Sequence, residues 1–172
     1  MGVNLNYLVS INWDILGVSD LDSTAHFKEL KKRVSRAWKY HTSLDGSVGG
    51  FYHLEVQENP NGKTNTHWLL HVEKGAVKWL NETIENRLEK VLLCTLPDNA
   101  LHMMHVPRSG TLLKYLNKGM NPLYAAHFHV NHEDQGKITG QRTNTSRNLG
   151  RNARKKNNWR RKNRLTKFQR DI

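Results

Sequence analysis

The net positive charge of this chain is confined to its C-terminal end. Residues 137–172 contain 13 Lys or Arg residues and one acid, Asp171, whereas the preceding 136 residues carry 14 basic and 14 acidic side chains. The hydrophobic core must therefore come from the preceding residues, because a run of like charges buries little apolar surface. A basic segment beside a neutral body is typical of proteins that bind a polyanion, more often nucleic acid than an acidic membrane surface. We expect one domain over 1–135 and a flexible, basic, nucleic-acid-binding tail over 136–172.

The first 120 residues alternate between strand and helix patterns. Four β-prone segments bounded by turn signals are predicted as strands: Tyr7–Trp13, Phe51–Glu58, Asn65–Glu73 and Ala100–Val106. Three segments with helical spacing of apolar residues are predicted as helices: one with the stripe Phe27, Leu30, Val34 and Trp38, one spanning Val77 to Leu92, and one over Ser109–Gly119. The order of the first six elements is βαββαβ. It predicts an α+β fold of the ferredoxin-like or split βαβ type, an antiparallel sheet with helices on one face, followed by the basic C-terminal tail.

Cysteine content and hydropathy indicate the cellular compartment in which the protein is expected to work. The single cysteine, Cys94, excludes an internal disulfide and a cysteine-rich zinc site, and it fits a reducing compartment. No apolar run approaches the roughly 20 residues that a membrane-spanning helix needs. We expect a cytoplasmic protein with no membrane partner.

The predicted strands Phe51–Glu58 and Asn65–Glu73 are expected to pair as a hairpin, and polar side chains alternate along both. In the first hairpin strand, His53, Glu55 and Gln57 share one face, and in the second strand Asn65 and His67 share one side. A hairpin is expected to place Glu55 and His67 within one or two rungs of each other. Carboxylate, imidazole and amide groups form a mixed oxygen and nitrogen set that suits Mg²⁺ or Mn²⁺. The alternative is that these residues are solvated on an open sheet face.

The last predicted helix carries a tyrosine outside its apolar stripe. Tyr115 and Lys118, at i and i+3, are neighbours on a different face from Leu112 and Leu116. A tyrosine can attack a phosphodiester to give a covalent phosphotyrosine. A nearby cation favours the phenolate and stabilises negative charge on the phosphate oxygens. Lys118 is placed to be that cation.

The order of these features resembles the HUH endonuclease superfamily. Asn65–Leu70, with Tyr115–Lys118 about 50 residues later, is similar to the family's His-hydrophobic-His strand and its later helix with a nucleophilic tyrosine and a lysine three residues on. The strand Tyr7–Asp14 looks like the family's first motif. The resemblance covers about residues 5–120. It departs from the family pattern at Asn65, which takes the place of the first histidine, and at Thr66, which takes the place of the middle hydrophobic residue.

The resemblance implies an activity and a set of roles. The activity is metal-dependent nicking and joining of single-stranded DNA through a phosphotyrosine, as in rolling-circle replication initiation on phages, plasmids or transposons. The implied cofactor is Mg²⁺ or Mn²⁺. The implied roles are nucleophile for Tyr115, its helper for Lys118, metal ligands for Glu55, Asn65 and His67, and reserve ligand for His53.

Further expectations concern partners and the remaining aromatic residues and histidines. No Gly-x-x-x-x-Gly-Lys-Ser/Thr motif is present, so unwinding is expected from a host helicase. Trp159 or Phe168 of the tail could stack on an unpaired base. His127 and His129 alternate near His132, which favours a polar strand over a second metal site. The alternative function is a non-catalytic module that binds nucleic acid through its sheet face and basic tail.

Overall fold

An antiparallel sheet of five strands forms the centre of the protein, whose computed structural model describes residues 3–44, 50–107 and 109–156. The strands are β1 (Tyr7–Asn12), β2 (His53–Glu58), β3 (Asn65–Leu70), β4 (Leu101–His105) and β5 (Thr143–Thr145). Their order in the sheet is β4-β1-β3-β2-β5, and all neighbours are antiparallel. The α+β class and the first four strands agree with the sequence prediction, whereas β5 lies in the segment that was expected to be a flexible tail.

Two long helices cover one face of this sheet. They are α1 (Asp20–Leu44) and α2 (Val77–Leu92). Their buried apolar stripes are Phe27, Leu30, Val34 and Trp38 in α1, and Leu80, Ile84 and Leu88 in α2. These side chains pack on Val9, Ile11, Trp68 and Leu70 of the sheet, and burial of each large apolar side chain contributes roughly 1.5–3 kcal/mol. No helix within the described ranges is both long and apolar enough to cross a membrane.

Two shorter helices follow β4. They are α3 (Ser109–Leu116) and α4 (Pro122–His127). Leu116 of α3 packs in a second apolar cluster with Leu8 and Leu69, whose side chains alternate with those that face α1 and α2. The sheet therefore has helices on both faces. We expected helices on one face, and α1 and α2 do share a face. The other face of the central strands is also apolar, and α3 packs on it.

The segment after α4 closes the edge of the sheet at β2. Beyond β5, the described chain ends with α5 (Arg151–Lys156). Gln57 N donates to the carbonyl oxygen of Arg142 at 2.7 Å. Gly136 has a φ of +66°, and a Cβ there would lie 2.0 Å from the Asn59 carbonyl oxygen, so only glycine fits this close approach. Residues 136–148 thus pack on the folded body, and residues 157–172 of the predicted tail, with Trp159 and Phe168, lie outside the described residues.

Candidate active site

The strand register places His67 on the face opposite α1 and α2. His67 of β3 lies between Ser10 of β1 and Val56 of β2. Its Nδ1 atom is 2.9 Å from Ser10 Oγ, and its Nε2 atom is 3.4 Å from a carboxylate oxygen of Glu58. Ser10 therefore fixes the orientation of the imidazole ring, which directs Nε2 toward Glu58.

Glu58 is the buried acid of this cluster. It is the last residue of β2, it pairs with Asn65, and its side chain is only 4% exposed. A buried carboxylate is costly unless other charges or hydrogen bonds compensate it. Oε2 faces His67 and, at 3.9 Å, the ammonium group of Lys118, whereas Oε1 is buried with no hydrogen-bond partner among the described residues. Glu58 thus has an oxygen that could accept a bond from a cation or a water molecule.

Lys118 links this cluster to Tyr115. It follows the last turn of α3, where Lys118 N donates to the Tyr115 carbonyl oxygen at 3.1 Å. Its ammonium nitrogen lies 4.2 Å from the Tyr115 ring centroid and 3.2 Å from a carboxylate oxygen of Glu133. Burial lowers the pKa of Lys118, but hydrogen bonds to Tyr115 and Glu133 and the negative charge of Glu58 outweigh burial, so the pKa lies above its usual value. Lys118 is a stable cation here and does not act as a base.

Tyr115 is available to a large ligand. Its side chain is 53% exposed, whereas its neighbour Leu116 is buried against the sheet. Because Leu116 anchors α3, Tyr115 stands at the rim of the cluster that contains Lys118, Glu58 and His67. The structure therefore links Tyr115 to His67 through Lys118 and Glu58. The contact between Tyr115 and Lys118 agrees with their spacing of three residues in the sequence.

Glu55 does not belong to this cluster. It pairs with Trp68, so it shares the face of the sheet that α1 covers, and it forms an ion pair with Lys31 of α1. Glu55 and His67 are one rung apart, as expected, but they lie on opposite faces of the sheet, so the expectation that both are ligands of one metal ion is wrong. The alternation along β2 was read correctly, but the polar side of the strand turned out to be the side under α1. Lys31 supplies the positive charge that makes burial of Glu55 tolerable.

Asn65 lies on the same face of the sheet as His67 and Glu58. It pairs with Glu58 on one side and with Asn12 on the other, two residues from His67 on the same face of β3. Its Nδ2 donates to the Lys63 carbonyl oxygen at 3.1 Å. Asn65, His67 and Glu58 therefore line one patch of the sheet.

The other histidines lie elsewhere. His53 lies on the face under α1, beside the rings of Phe51 and Trp68, at centroid distances of 5.4 and 6.0 Å. Burial lowers the pKa of His53 to about 4, with Glu55 opposing and Lys31 adding to this effect. The predicted polar strand around His127 is wrong, because this residue ends α4.

Among residues 3–44, 50–107 and 109–156, no group of three or more His, Cys, Asp or Glu side chains could hold a metal ion. A cation at the His67 patch would therefore need the amide oxygen of Asn65 or oxygens from its ligand. An oxygen-rich set of this kind is compatible with Mg²⁺ or Mn²⁺ and unsuited to a structural zinc ion.

Sequence reasoning missed Glu58, Ser10 and Glu133. Glu58 could have been found, because two strands that end at 58 and begin at 65 pair these two residues when the hairpin closes at its turn. Ser10 needed the pairing of β1 with β3, and Glu133 needed the path of the segment after α4. No local pattern encodes either of these long-range contacts.

The chain was compared with family models, curated proteins and solved structures, and no match was found in any of the three comparisons. The case for a function therefore depends on the geometry of the residues themselves.

Proposed function

We propose that this protein binds single-stranded DNA and cuts it through Tyr115, leaving a covalent phosphotyrosine, as a HUH-type endonuclease of rolling-circle replication does. The observation that carries the proposal is the contact of Lys118 with both Tyr115 and Glu58, the latter beside His67. Two sequence regions about 50 residues apart thus supply a nucleophile, a cation and a candidate metal patch to one surface.

The proposal extends to the fold family. We infer a ferredoxin-like, split βαβ core, with β5 added at one edge. Support comes from the element order βαββαβ and from the strand order β4-β1-β3-β2. The strands β1 and β2, which α1 connects, lie on either side of β3. The strands β3 and β4, which α2 connects, lie on either side of β1.

The residues at the patch fit a hard divalent cation. His67 Nε2, the unpartnered Oε1 of Glu58 and the amide oxygen of Asn65 are the groups that would hold Mg²⁺ or Mn²⁺. Ser10 holds the His67 ring through Nδ1, as an orienting hydrogen bond does in metal sites. A cation bound there would supply Lewis-acid polarisation of the scissile phosphate.

The protein's own residues account for the transfer step. The Tyr115 oxygen forms a bond to phosphorus while the bond from phosphorus to the 3′-oxygen breaks. The phenolic proton passes to solvent, and the released 3′-oxygen takes up a proton. Lys118, held as a cation, stabilises the phenolate and the negative charge on the phosphate oxygens. Since the proposed substrate is single-stranded, strand separation would be supplied by a host helicase.

The second candidate function is a non-catalytic module that binds nucleic acid. The observation that favours it is the absence, within the described part of the chain, of three charged or imidazole ligands around one point. Such a module would keep the exposed Tyr115 as a surface on which a base stacks.

A gel assay separates the two functions. Because the downstream fragment stays on the tyrosine, DNA labelled at its 3′ end gives a labelled protein band that survives denaturation. We expect this band with the intact protein and Mn²⁺, its loss with Tyr115→Phe, and its retention with the matched control Tyr124→Phe on α4. Binding of DNA by all three proteins without any covalent band would refute cutting and leave the binding module.

A further inference from the structure

A groove of about 830 Å³ runs between the outer surfaces of α1 and α2. It opens on the far side of the helices from the sheet, so the whole sheet separates it from Tyr115, Lys118 and His67. Its lining includes two arginines of α1, two cations of α2 and two aromatic side chains: Arg33, Arg36, Arg87, Lys90, Tyr40 and Trp79.

The positive charge of this groove is poorly balanced. Residues 30–44 of α1 contain five Lys or Arg residues and no acid. Arg33 is paired with Glu29 at 2.9 Å, but Arg36, Arg87 and Lys90 form no ion pair within the described residues. Glu82 is the one acid among the lining residues. Converging cations without partners repel one another, and an anionic ligand would relieve that repulsion.

Flat aromatic surfaces accompany the cations. Tyr40 is 68% exposed, so its ring is accessible to a ligand. Trp79 stacks on His41 with a centroid distance of 4.0 Å and an angle of 9° between the rings. Trp79 is half-buried, so Tyr40 is the exposed ring of this groove. Cations beside an exposed aromatic ring are a combination by which proteins hold a phosphate backbone and an unpaired base.

We propose that the groove between α1 and α2 binds the phosphodiester backbone of a nucleic acid segment, at a site distinct from the surface around Tyr115. Arg36, Arg87 and Lys90 neutralise successive phosphates, and Tyr40 provides a surface for stacking. The nucleotides held there are not those at Tyr115, because the sheet lies between the two surfaces. The site does not depend on the cutting activity proposed above.

The experiment uses the full chain with three cations neutralised. The variant Arg36→Gln/Arg87→Gln/Lys90→Gln breaks no ion pair with a described residue. The matched control Lys28→Gln/Lys74→Gln/Lys78→Gln removes the same charge from exposed positions outside the groove. Binding of fluorescent DNA, single-stranded and duplex, is measured from 50 to 300 mM salt, with circular dichroism as the check of folding.

We expect the groove variant to lose about tenfold or more in affinity and the slope of log affinity against log salt to fall by roughly 2–3, since each phosphate contact contributes about 0.7–0.9. The control should lose little in either quantity. Equal losses in both triple variants would overturn the proposal, because the cations would then act only as diffuse charge. Covalent cutting by the groove variant on a short oligonucleotide should persist, which separates failure of this site from failure at Tyr115.

The variant Tyr40→Ala identifies the form of nucleic acid that the groove holds. A loss of about tenfold for single-stranded DNA alone supports a strand with a base stacked on Tyr40. An unchanged affinity for both forms, together with the loss in the groove triple variant, would overturn the stacking role of Tyr40 and support a nucleic acid held by its phosphates alone.

Discussion

The ammonium group of Lys118 lies over the ring of Tyr115, 4.2 Å from its centroid. A cation in this position stabilises negative charge on or near the phenolic oxygen, and the same ammonium reaches the buried carboxylate of Glu58 at 3.9 Å. The Lys118 side chain thus contacts both Tyr115 of α3 and Glu58 at the end of β2. This relationship makes Lys118 the residue whose substitution most directly tests the proposed reaction.

Lys118→Gln should lower the rate of covalent adduct formation by about 100-fold, since the cation that stabilises developing charge is lost. Because the pKa of Lys118 is raised above its usual value of about 10.5, the ammonium is fully present at pH values well below 10.5 and is lost only as the pH rises through the higher folded value. The defect should therefore be similar at every pH from 7 to 9. Lys114→Gln, at an exposed position of α3, is the control. Equal rates for the two variants would show that Lys118 has no part in the reaction.

Glu58→Gln and Glu55→Gln should have opposite consequences. Loss of the Glu58 carboxylate should remove Mn²⁺ binding, measured by calorimetry, because the oxygen beside His67 loses its charge. Loss of the Glu55 carboxylate should leave Mn²⁺ binding intact but lower the free energy of unfolding by about 1–3 kcal/mol, since Lys31 loses its partner. If Glu55→Gln abolished metal binding in a folded protein, the assignment of Glu58 would be incorrect.

Asn65→His should tighten Mn²⁺ binding and raise the rate of nicking. An imidazole binds Mn²⁺ more firmly than an amide oxygen, and residue 65 lies on the same face as His67 and opposite Glu58. Metal affinity and nicking are measured side by side in the two proteins. Absence of metal binding in both, with DNA binding intact, would exclude the catalytic function and leave the binding module.

Two truncations should distinguish the contribution of the basic residues to DNA binding from the contribution of β5 to stability. Deletion of residues 157–172, which removes six basic residues and one acid, should lower the salt dependence of DNA binding. Deletion after Gly136 should in addition lower the midpoint of thermal unfolding relative to the shorter deletion, because β5 and its hydrogen bonds to β2 are lost. Equal midpoints for the two truncations would mean that β5 contributes nothing to stability.

His53→Phe should remove a pH dependence of stability. The pKa of His53 is lowered to about 4 in the folded protein, so its contribution is present above the unfolded value of about 6.5 and is lost as the pH falls toward 4. Over that range the intact protein should lose roughly 1–3 kcal/mol more than the variant. Urea unfolding at pH 7, 5.5 and 4.5 measures the difference, and parallel curves for the two proteins would contradict the assigned burial of His53.

Local pattern was enough for most elements of the fold. The spacing of Phe27, Leu30, Val34 and Trp38 predicted the buried stripe of α1, and the turn signals between the second and third predicted strands indicated the hairpin of β2 and β3. Tyr115 and Lys118 were found because neighbours on a helix can be read from a spacing of three residues. These features depend on residues close in the chain, which is why the sequence by itself determined them.

Tertiary structure decided which side of each strand faces which layer. Alternation along β2 separates Glu55 from Glu58 but does not say which of them lies under α1, since that depends on Lys31 and on packing across the whole sheet. The same holds for β5, whose strand forms only because the edge of β2 offers unpaired backbone groups to residues 143–145. The sequence alone determined the first four strands, the two long helices and the Tyr115–Lys118 pair, whereas pairing between distant segments decided that Glu58 is the acid beside His67.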